Sequence, residues 1–477
     1  MRAVRGGIYF VRAGELLRMP MERVNPATGE TIETVDTHTE AEVDAMLEDA
    51  HEAYLSWREV PMHERRELMA NAAEVLRDRV EEYAELMTTE MGKPIDEARS
   101  EVEKCAWVCE HYAEHAGEYL QDETLKSPPE ADAKVVHQPL GVVLAVMPWN
   151  FPFWQVFRFA APNLCAGNVG VLKHASNVPG CAKAIAEVFE EAGFPEAVFQ
   201  TLLVSGSKAN DVIEDERVRA VTLTGSEGAG RAVAETAGKE LKKTVLELGG
   251  ADPFVVLDDA NLDAAVETGV QARLLNSGQS CIAAKRFIVH DAVYDEFLDA
   301  FVDEMQAQTV GDPTDPDTDV GPQARRDLLR DLHDQVERSV RDGATVECGG
   351  EPLDGDGYFY PPTVLTDVTP DMAAACEETF GPVAAVFRVD SEQDAIDLAN
   401  DSTLGLGASV WTQDLERGER IARDIEAGCA FVNELTKSDP RVPFGGIKDS
   451  GYGRELSEHG IKEFVNRKTV WVQDAQD

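Results

Sequence analysis

Glu247 and Cys281 are the residues of this chain best placed to do covalent chemistry. Each sits in a turn of small residues, Leu246-Glu247-Leu248-Gly249-Gly250 and Gly278-Gln279-Ser280-Cys281. A thiol can attack a carbonyl carbon, and a carboxylate can later take a proton from water. A reactive thiol needs its reference pKa of about 8.5 lowered, or a base beside it. Exposed N–H groups at a turn or helix start are expected to provide that. Glycines beside both groups are expected to let a ligand approach the backbone. A Glu and a Cys so far apart also occur together by chance, and Cys281 reads equally as an inert buried thiol.

Four further stretches carry polar groups where a ligand could meet them. Met147-Pro148-Trp149-Asn150-Phe151-Pro152 follows an apolar run, and ligands of open α/β sheets sit at such strand ends. The Asn150 amide could donate to a developing oxyanion or simply brace the turn. In Leu172-Lys173-His174-Ala175-Ser176, Lys173 could bind a ribose or phosphate, although a solvated lysine is the plainer reading. Thr222-Leu223-Thr224-Gly225-Ser226-Glu227-Gly228-Ala229-Gly230 runs from strand to helix, where free N–H groups favour a phosphate. It lacks the G-x-G-x-x-G pattern, and Ser226 could be only a helix cap. Glu377-Glu378-Thr379-Phe380-Gly381-Pro382 could anchor a ribose or form an acidic surface turn.

These stretches need a framework to bring them together. Thr39 and Glu42 form a capping box ahead of a helical run through Val43, Met46, Leu47, Ala50 and Tyr54. A second helix is expected after Pro61 and a third from about Ile95 to Leu120. Residues 122–130 read as a loop and Ala133 to Gln138 as a strand. From residue 140 the pattern becomes strand, turn, helix. Val142 to Val146, Val169 to Leu172, Phe199 to Val204 and Ala220 to Leu223 are strand-like, with a helix at Cys181 to Ala192. Alternation of this kind builds a parallel sheet buried on both faces. A second series follows Glu247, with strands at Phe254 to Leu257, Phe287 to His290 and Ala384 to Val389, and implies a second α/β domain. The strand-like tail, Phe464 to Val472, is expected to return to the first domain or reach a partner chain.

A chain of 477 residues exceeds one ordinary core. No apolar run of about 18 residues is present, so no membrane-spanning helix is expected. Residues 1–20 carry four arginines around a short apolar stretch. They are read as a poorly ordered extension rather than a signal peptide, with Met21 as an alternative start. Acidic residues outnumber basic ones by 89 to 44, for a net charge of −45. Phosphate backbones and anionic membranes would be repelled, which argues against nucleic acid and membrane partners. The acids are dispersed and lysine is scarce, at 15 against 29 arginines. That fits a cytoplasmic protein of a salt-loving organism, or a merely acidic cytosolic enzyme. The eight cysteines include no CxxC pair. Cys105 and Cys109 share a helix face that His111 and His115 do not, so the cysteines are expected in a core, the histidines outside, and no metal.

In this order the segments resemble the aldehyde dehydrogenase superfamily, from about Val24 to the C-terminus. The shared motifs are Pro-Trp-Asn-Phe-Pro, Thr-Gly-Ser, Glu-Leu-Gly-Gly, Asn276-Ser277-Gly278-Gln279-Ser280-Cys281, Glu-x-Phe-Gly-Pro and Pro443-Phe444-Gly445-Gly446. The resemblance implies an α/β fold with a Rossmann-like cofactor domain (21–246), a catalytic α/β domain (247–440) and a β-strand oligomerisation arm. Residues 122–140 and the returning segment 441–477 would build that arm, giving a homodimer or homotetramer. It implies Cys281 as nucleophile, Asn150 with the cysteine's N–H as oxyanion donors, and Glu247 as the base that hydrolyses the thioester. Lys173, Gly225, Ser226, Leu248 and Glu378 would hold an NAD or NADP cofactor, together with Trp149, Ser176 and Phe380. Many NAD-preferring members carry Glu where this chain has Ser176. A serine does not repel a 2′-phosphate, so NADP is allowed. A glycine-rich turn of the family is reduced here to Ser205-Gly206-Ser207.

Lys-His-Ala-Ser-Asn-Val-Pro-Gly-Cys-Ala and Tyr-Phe-Tyr-Pro-Pro-Thr-Val-Leu resemble the succinate-semialdehyde dehydrogenase branch. There Arg158 and Ser438 would grip the substrate carboxylate, although Arg158 could instead form a structural ion pair. Leu275 replaces a second arginine of some members, for which Arg273 or Arg441 is expected to substitute. A broader aldehyde range is the alternative. A CoA-acylating relative is opposed by Glu247, and a non-catalytic member by the presence of Cys281, Asn150 and Glu247 together. A cofactor-free thioesterase is a minor variant.

Overall fold

The computed structural model describes residues 20–129 and 131–473. The expectation for residues 1–20 lies outside the described residues, except at Pro20. A hairpin, Met21–Asn25 with Glu30–Val35, precedes the first helix. It was not foreseen, since the alternation in so short a polar segment is weak. Thr39 then caps the helix Glu40–Trp57 through the expected capping box. The helix after Pro61 ends at Asp78, and a further helix, Val80–Met91, follows a break at Arg79. Ile95–Tyr119 is the expected long third run.

The first sheet has six strands. Val142–Met147 lies at its centre, with Val169–His174 and then Phe199–Thr201 on one side. On the other side lie Val218–Thr224 and then Lys243–Glu247, all parallel. Gly451–Tyr452 returns antiparallel along Lys243–Glu247. Crossovers leave the central strand in both directions, so its C-terminal end is a topological switch point. The third predicted strand is shorter than its apolar run, stopping at Thr201, while Leu202 to Val204 pack as buried coil.

The second sheet has seven strands, and within it Pro253–Val256 is flanked by Arg286–His290, the middle strand, and Gly407–Trp411. Val383–Val389 joins beyond Arg286–His290. Val255, Ile288 and Val410 pack into one apolar cluster, whereas Phe254, Val256, Phe287 and Val289 pack into another. The period-two alternation therefore buries both faces, as continuous apolar runs require.

The tail strand, Val465–Gln473, pairs antiparallel with Ala131–Pro139 of its own chain. Glu123–Leu125 adds a third strand where a loop was expected. Its pattern is too short to read in sequence, and ladder pairing with Ala131–Pro139 defines it. On the long helix, Cys105 and Cys109 are buried as expected, but His111 is buried too. Tyr112, His115 and Tyr119 surround its ring, and its Nε2 lies 3.2 Å from the Tyr119 hydroxyl. That corrects its outward assignment: packing by the helix's own last turns covers it. Among the described residues no cluster of His, Cys, Asp and Glu could hold a metal ion, and no helix is long and apolar enough to cross a membrane.

Candidate active site

The thiol-bearing loop begins with three residues in left-handed backbone, Asn276, Ser277 and Gly278, at φ 56°, 55° and 75°. For Asn and Ser that region is strained and persists only under surrounding constraint. The constraint is visible. The Asn276 N–H donates to the Glu97 carboxylate at 2.7 Å, and the Ser277 hydroxyl accepts from Gly321 N at 2.9 Å. Arg273 donates to the Gly278 carbonyl at 2.7 Å. Lys285 donates to the carbonyls of Ser280, Cys281 and Ala283 at 2.9, 2.8 and 3.3 Å. These bonds leave the half-buried Cys281 at the wall of a cavity of about 580 Å³.

The expectation that glycines open space for a ligand needs correction here. A Cβ at Gly250 would strike the Cys281 carbonyl, and one at Gly278 the backbone of Gly381. A Cβ at Gly249 would lie 2.7 Å from the Glu378 carboxylate. These glycines let protein segments close on one another. The thiol does not have the lowered pKa that a reactive cysteine was expected to need. Burial pushes it up to about 12, with the Lys285 ammonium as the main opposing influence.

Asn150 follows the central strand. Its Oδ1 accepts from Gln155 at 3.2 Å and one N–H donates to the Gln279 carbonyl at 3.0 Å, so the amide orientation is fixed and the second N–H remains. The turn itself hangs on Glu101, whose carboxylate accepts from Phe153 N and Trp154 N, both at 2.9 Å, while also pairing with buried Lys93.

Glu247 ends its strand fully enclosed. Among the described residues neither oxygen has a hydrogen-bond partner. Burial, and next the Glu455 carboxylate, hold it well above the usual carboxylate range, against Arg158 and Arg454. Glu455 is also raised by burial and is ion-paired to Arg158.

The segments assigned to a cofactor gather at the C-terminal ends of the first sheet's strands. Lys173 is buried with no ion pair among the described residues, and Ser176 is exposed just beyond. Ser226 caps the helix Glu227–Lys239, its hydroxyl accepting from Ala229 N at 3.4 Å. A Cβ at Gly228, in that helix's first turn, would meet nothing within 4 Å. An unpaired lysine and an open helix start at the same end of the sheet, on strands either side of Val142–Met147, suit a dinucleotide. Leu248 packs over Gly230, and Trp149 meets Phe380 edge-on at 5.6 Å. Glu378 accepts from Gly250 N at 3.1 Å, lies 3.5 Å from Lys285, and is raised by burial. These groups fit a nicotinamide dinucleotide.

Arg158, Lys104, Ser438, Trp154 and Phe444 share the lining of the cavity with Cys281. Arg158 pairs with Glu455 and lies 4.9 Å from the Phe444 ring centre. The Ser438 hydroxyl accepts from Lys104 Nζ and from Trp154 Nε1, each at 3.0 Å. Neither proposed replacement arginine belongs here. Arg273 is buried against the carbonyls of Gly278 and Ala284, and Arg441 is an exposed partner of Asp439. Both are consumed by local turns close in sequence, which a spacing argument could not register. Sequence reasoning also missed Lys104, Lys285, Glu97, Glu101 and Glu455. Only Lys285, a cation four residues after the thiol, left a readable signal.

Two α/β sheets, with a half-buried thiol on the wall of a cavity and helix-start and lysine groups at the strand ends of the first sheet, define a thiol-centred oxidoreductase fold. The chain belongs to the Aldehyde dehydrogenase family, which matches it over residues 11–470. It is 55% identical over 454 residues to a probable succinate-semialdehyde dehydrogenase [NADP(+)] of Synechocystis sp., covering 95% of this chain and 100% of that one. It is 53% identical over 457 residues to the succinate-semialdehyde dehydrogenase [NADP(+)] of Mycobacterium avium, covering 95% and 97%. Among solved structures, succinic semialdehyde dehydrogenase from Streptococcus pyogenes in complex with NADP+ superposes with a TM-score of 0.93 at 41% identity, covering 95% of this chain and 100% of that one.

Proposed function

We propose that this protein oxidises succinate semialdehyde to succinate through a thioester on Cys281, with NADP as the hydride acceptor. The observation that carries this reading is one cavity that places the thiol together with Arg158, Lys104 and Ser438. A neutral aldehyde has no use for such a group of donors, whereas a carboxylate matches them. The NADP-named relatives and the exposed Ser176, in place of a repelling carboxylate, support the choice of cofactor.

In this reading the Cys281 thiol gives its proton to solvent and Sγ adds to the aldehyde carbon, opening the C=O so that the remaining N–H of Asn150 receives the oxyanion. NADP, when bound, supplies the hydride acceptor. Lys173, Ser176, Gly225, Ser226 and Leu248 would hold its adenosine and phosphates, and Trp149, Glu378 and Phe380 its nicotinamide end. Glu247 takes the proton of the water that opens the thioester. Its raised pKa makes the carboxylate the stronger base for that step. The Arg158–Glu455 pair favours a second reading, a broader aldehyde range, because it already neutralises the arginine.

We further propose the division at residue 247 into cofactor-binding and catalytic parts, a cytoplasmic location, and a surface adapted to concentrated salt. Leu125, Trp471 and Val472 are exposed on the three-stranded sheet, which supports pairing of chains through it as dimers or tetramers. A panel of aldehydes with NAD and NADP in molar potassium chloride tests the activity. Succinate semialdehyde with NADP should give the highest kcat/KM. Equal rates for neutral aldehydes of similar length would favour the broad-range reading.

A further inference from the structure

We infer that Lys104, rather than Arg158, supplies the free positive charge for the distal carboxylate of the substrate, with the Ser438 hydroxyl donating beside it. The inference rests on the succinate-semialdehyde reading above.

Two cations face the cavity, and they differ in what they already hold. The Arg158 guanidinium is in ion contact with Glu455 and lies over the Phe444 ring. An anion approaching that pair meets a carboxylate as well as a guanidinium, and the two fields largely cancel. Lys104 makes no ion pair among the described residues. Its Nζ donates to Ser438 at 3.0 Å and lies 4.4 Å from the Trp154 ring centre. An ammonium carries three donors, and only one is used here. A largely enclosed charge without a counter-ion is unfavourable until an anion arrives. Burial, and next the like charge of Arg158, lower Lys104 to about 8, so it is still mostly protonated at neutral pH.

Ser438 adds the direction. Its oxygen accepts from both Lys104 and Trp154, each at 3.0 Å. A hydroxyl has two lone pairs and one proton. With both pairs engaged, its own O–H is left to donate to a group in the cavity. The free donors are then ammonium N–H and serine O–H, with no acceptor between them. A carboxylate is acceptor-only and satisfies both, whereas an alcohol or amide satisfies them poorly. The ammonium also faces Glu101 and Cys105 on its own helix, Arg158 on the helix Trp154–Ala166, and Asp439 in the following loop. Neither carboxylate lies within ion-pair distance among the described residues.

The test compares wild type, K104M, K104Q and K104R at saturating NADP, with succinate semialdehyde and with propanal. K104M and K104Q should raise KM for succinate semialdehyde roughly 10- to 100-fold, the scale of a lost charge-assisted hydrogen bond, and far more than KM for propanal. Inhibition by succinate should weaken by a similar factor, and K104R should recover most of both. In wild type, KM for succinate semialdehyde should climb as pH rises past about 8, with no such rise for propanal. This last measurement does not depend on a variant folding. A wild type that prefers succinate semialdehyde, with both aldehydes equally affected by K104M or by pH, overturns the assignment of Lys104 alone. A wild type without that preference overturns the substrate reading, and the inference with it.

Discussion

Around Cys281, the carbonyls of Gly278, Gln279, Ser280, Cys281 and Ala283 each accept a hydrogen bond from a side chain. Around Glu247 neither carboxylate oxygen has such a partner. The loop is strained and pinned, so its thiol is held in one place. The carboxylate is enclosed and unpinned, so burial raises its affinity for a proton. A nucleophile needs a fixed line of attack, whereas a base needs a raised affinity for the proton it takes. The two regions meet those needs by opposite means.

The largest expected effect tests the pinned side. Cys281→Ala should lower turnover by more than about 10³-fold, read as NADPH formation, while cofactor binding by fluorescence titration persists. Residual turnover well above background would remove the thiol from the reaction. On the unpinned side, Glu247→Gln should slow turnover by about 10²- to 10³-fold and let an acyl adduct accumulate on Cys281, detectable by intact-protein mass spectrometry. A normal steady-state rate with no adduct would place the base elsewhere.

Lys285→Met sharpens the contrast. It leaves three loop carbonyls without their donor and should cost about 2–4 kcal/mol in denaturant melts. It should also displace the thiol titration further upward, since Lys285 is the main group opposing burial. In wild type, alkylation of Cys281 by iodoacetamide should accelerate about tenfold per pH unit from neutrality upward, because the thiolate is the reactive form. In Lys285→Met the same curve should lie lower at each pH.

A smaller effect concerns stability. The folded-state pKa of Glu247 is raised, so folding favours the protonated acid. That contribution is complete below the ordinary carboxylate range and is lost as pH rises through the folded value. Glutamine cannot ionise, so Glu247→Gln should gain about 1 kcal/mol over wild type at alkaline pH and little at acid pH. The smallest difference between the two regions should come from salt. Potassium chloride should raise the melting temperature of the whole chain by screening its net charge of −45, but leave the buried thiol's titration nearly unmoved.

The site was legible where function and local pattern coincide. Asn150, Lys173, Gly225 and Glu247 all stand at or beside the C-terminal ends of apolar strands, and a strand end is readable from a run such as Val142 to Val146. The positioning residues were not legible, because nothing near them marks their targets. Glu101 holds the Asn150 turn from a different helix, and Glu97 reaches Asn276 across most of the first sheet's sequence. Glu123–Leu125 was lost for the same reason: three residues carry no period, and the partner strand alone makes them a strand.

The order of chemical groups along the chain, the two runs of parallel strands and the acidic surface are therefore properties of the sequence itself, since each rests on neighbouring residues and their period. Which glycines face protein rather than ligand, which cation is already paired and which stands free were decided only on folding. Ser438 and Lys104 are 334 residues apart, and their hydrogen bond exists only because separate parts of the fold close on one cavity. Charge pairing depends on distances through space, and those are set by packing.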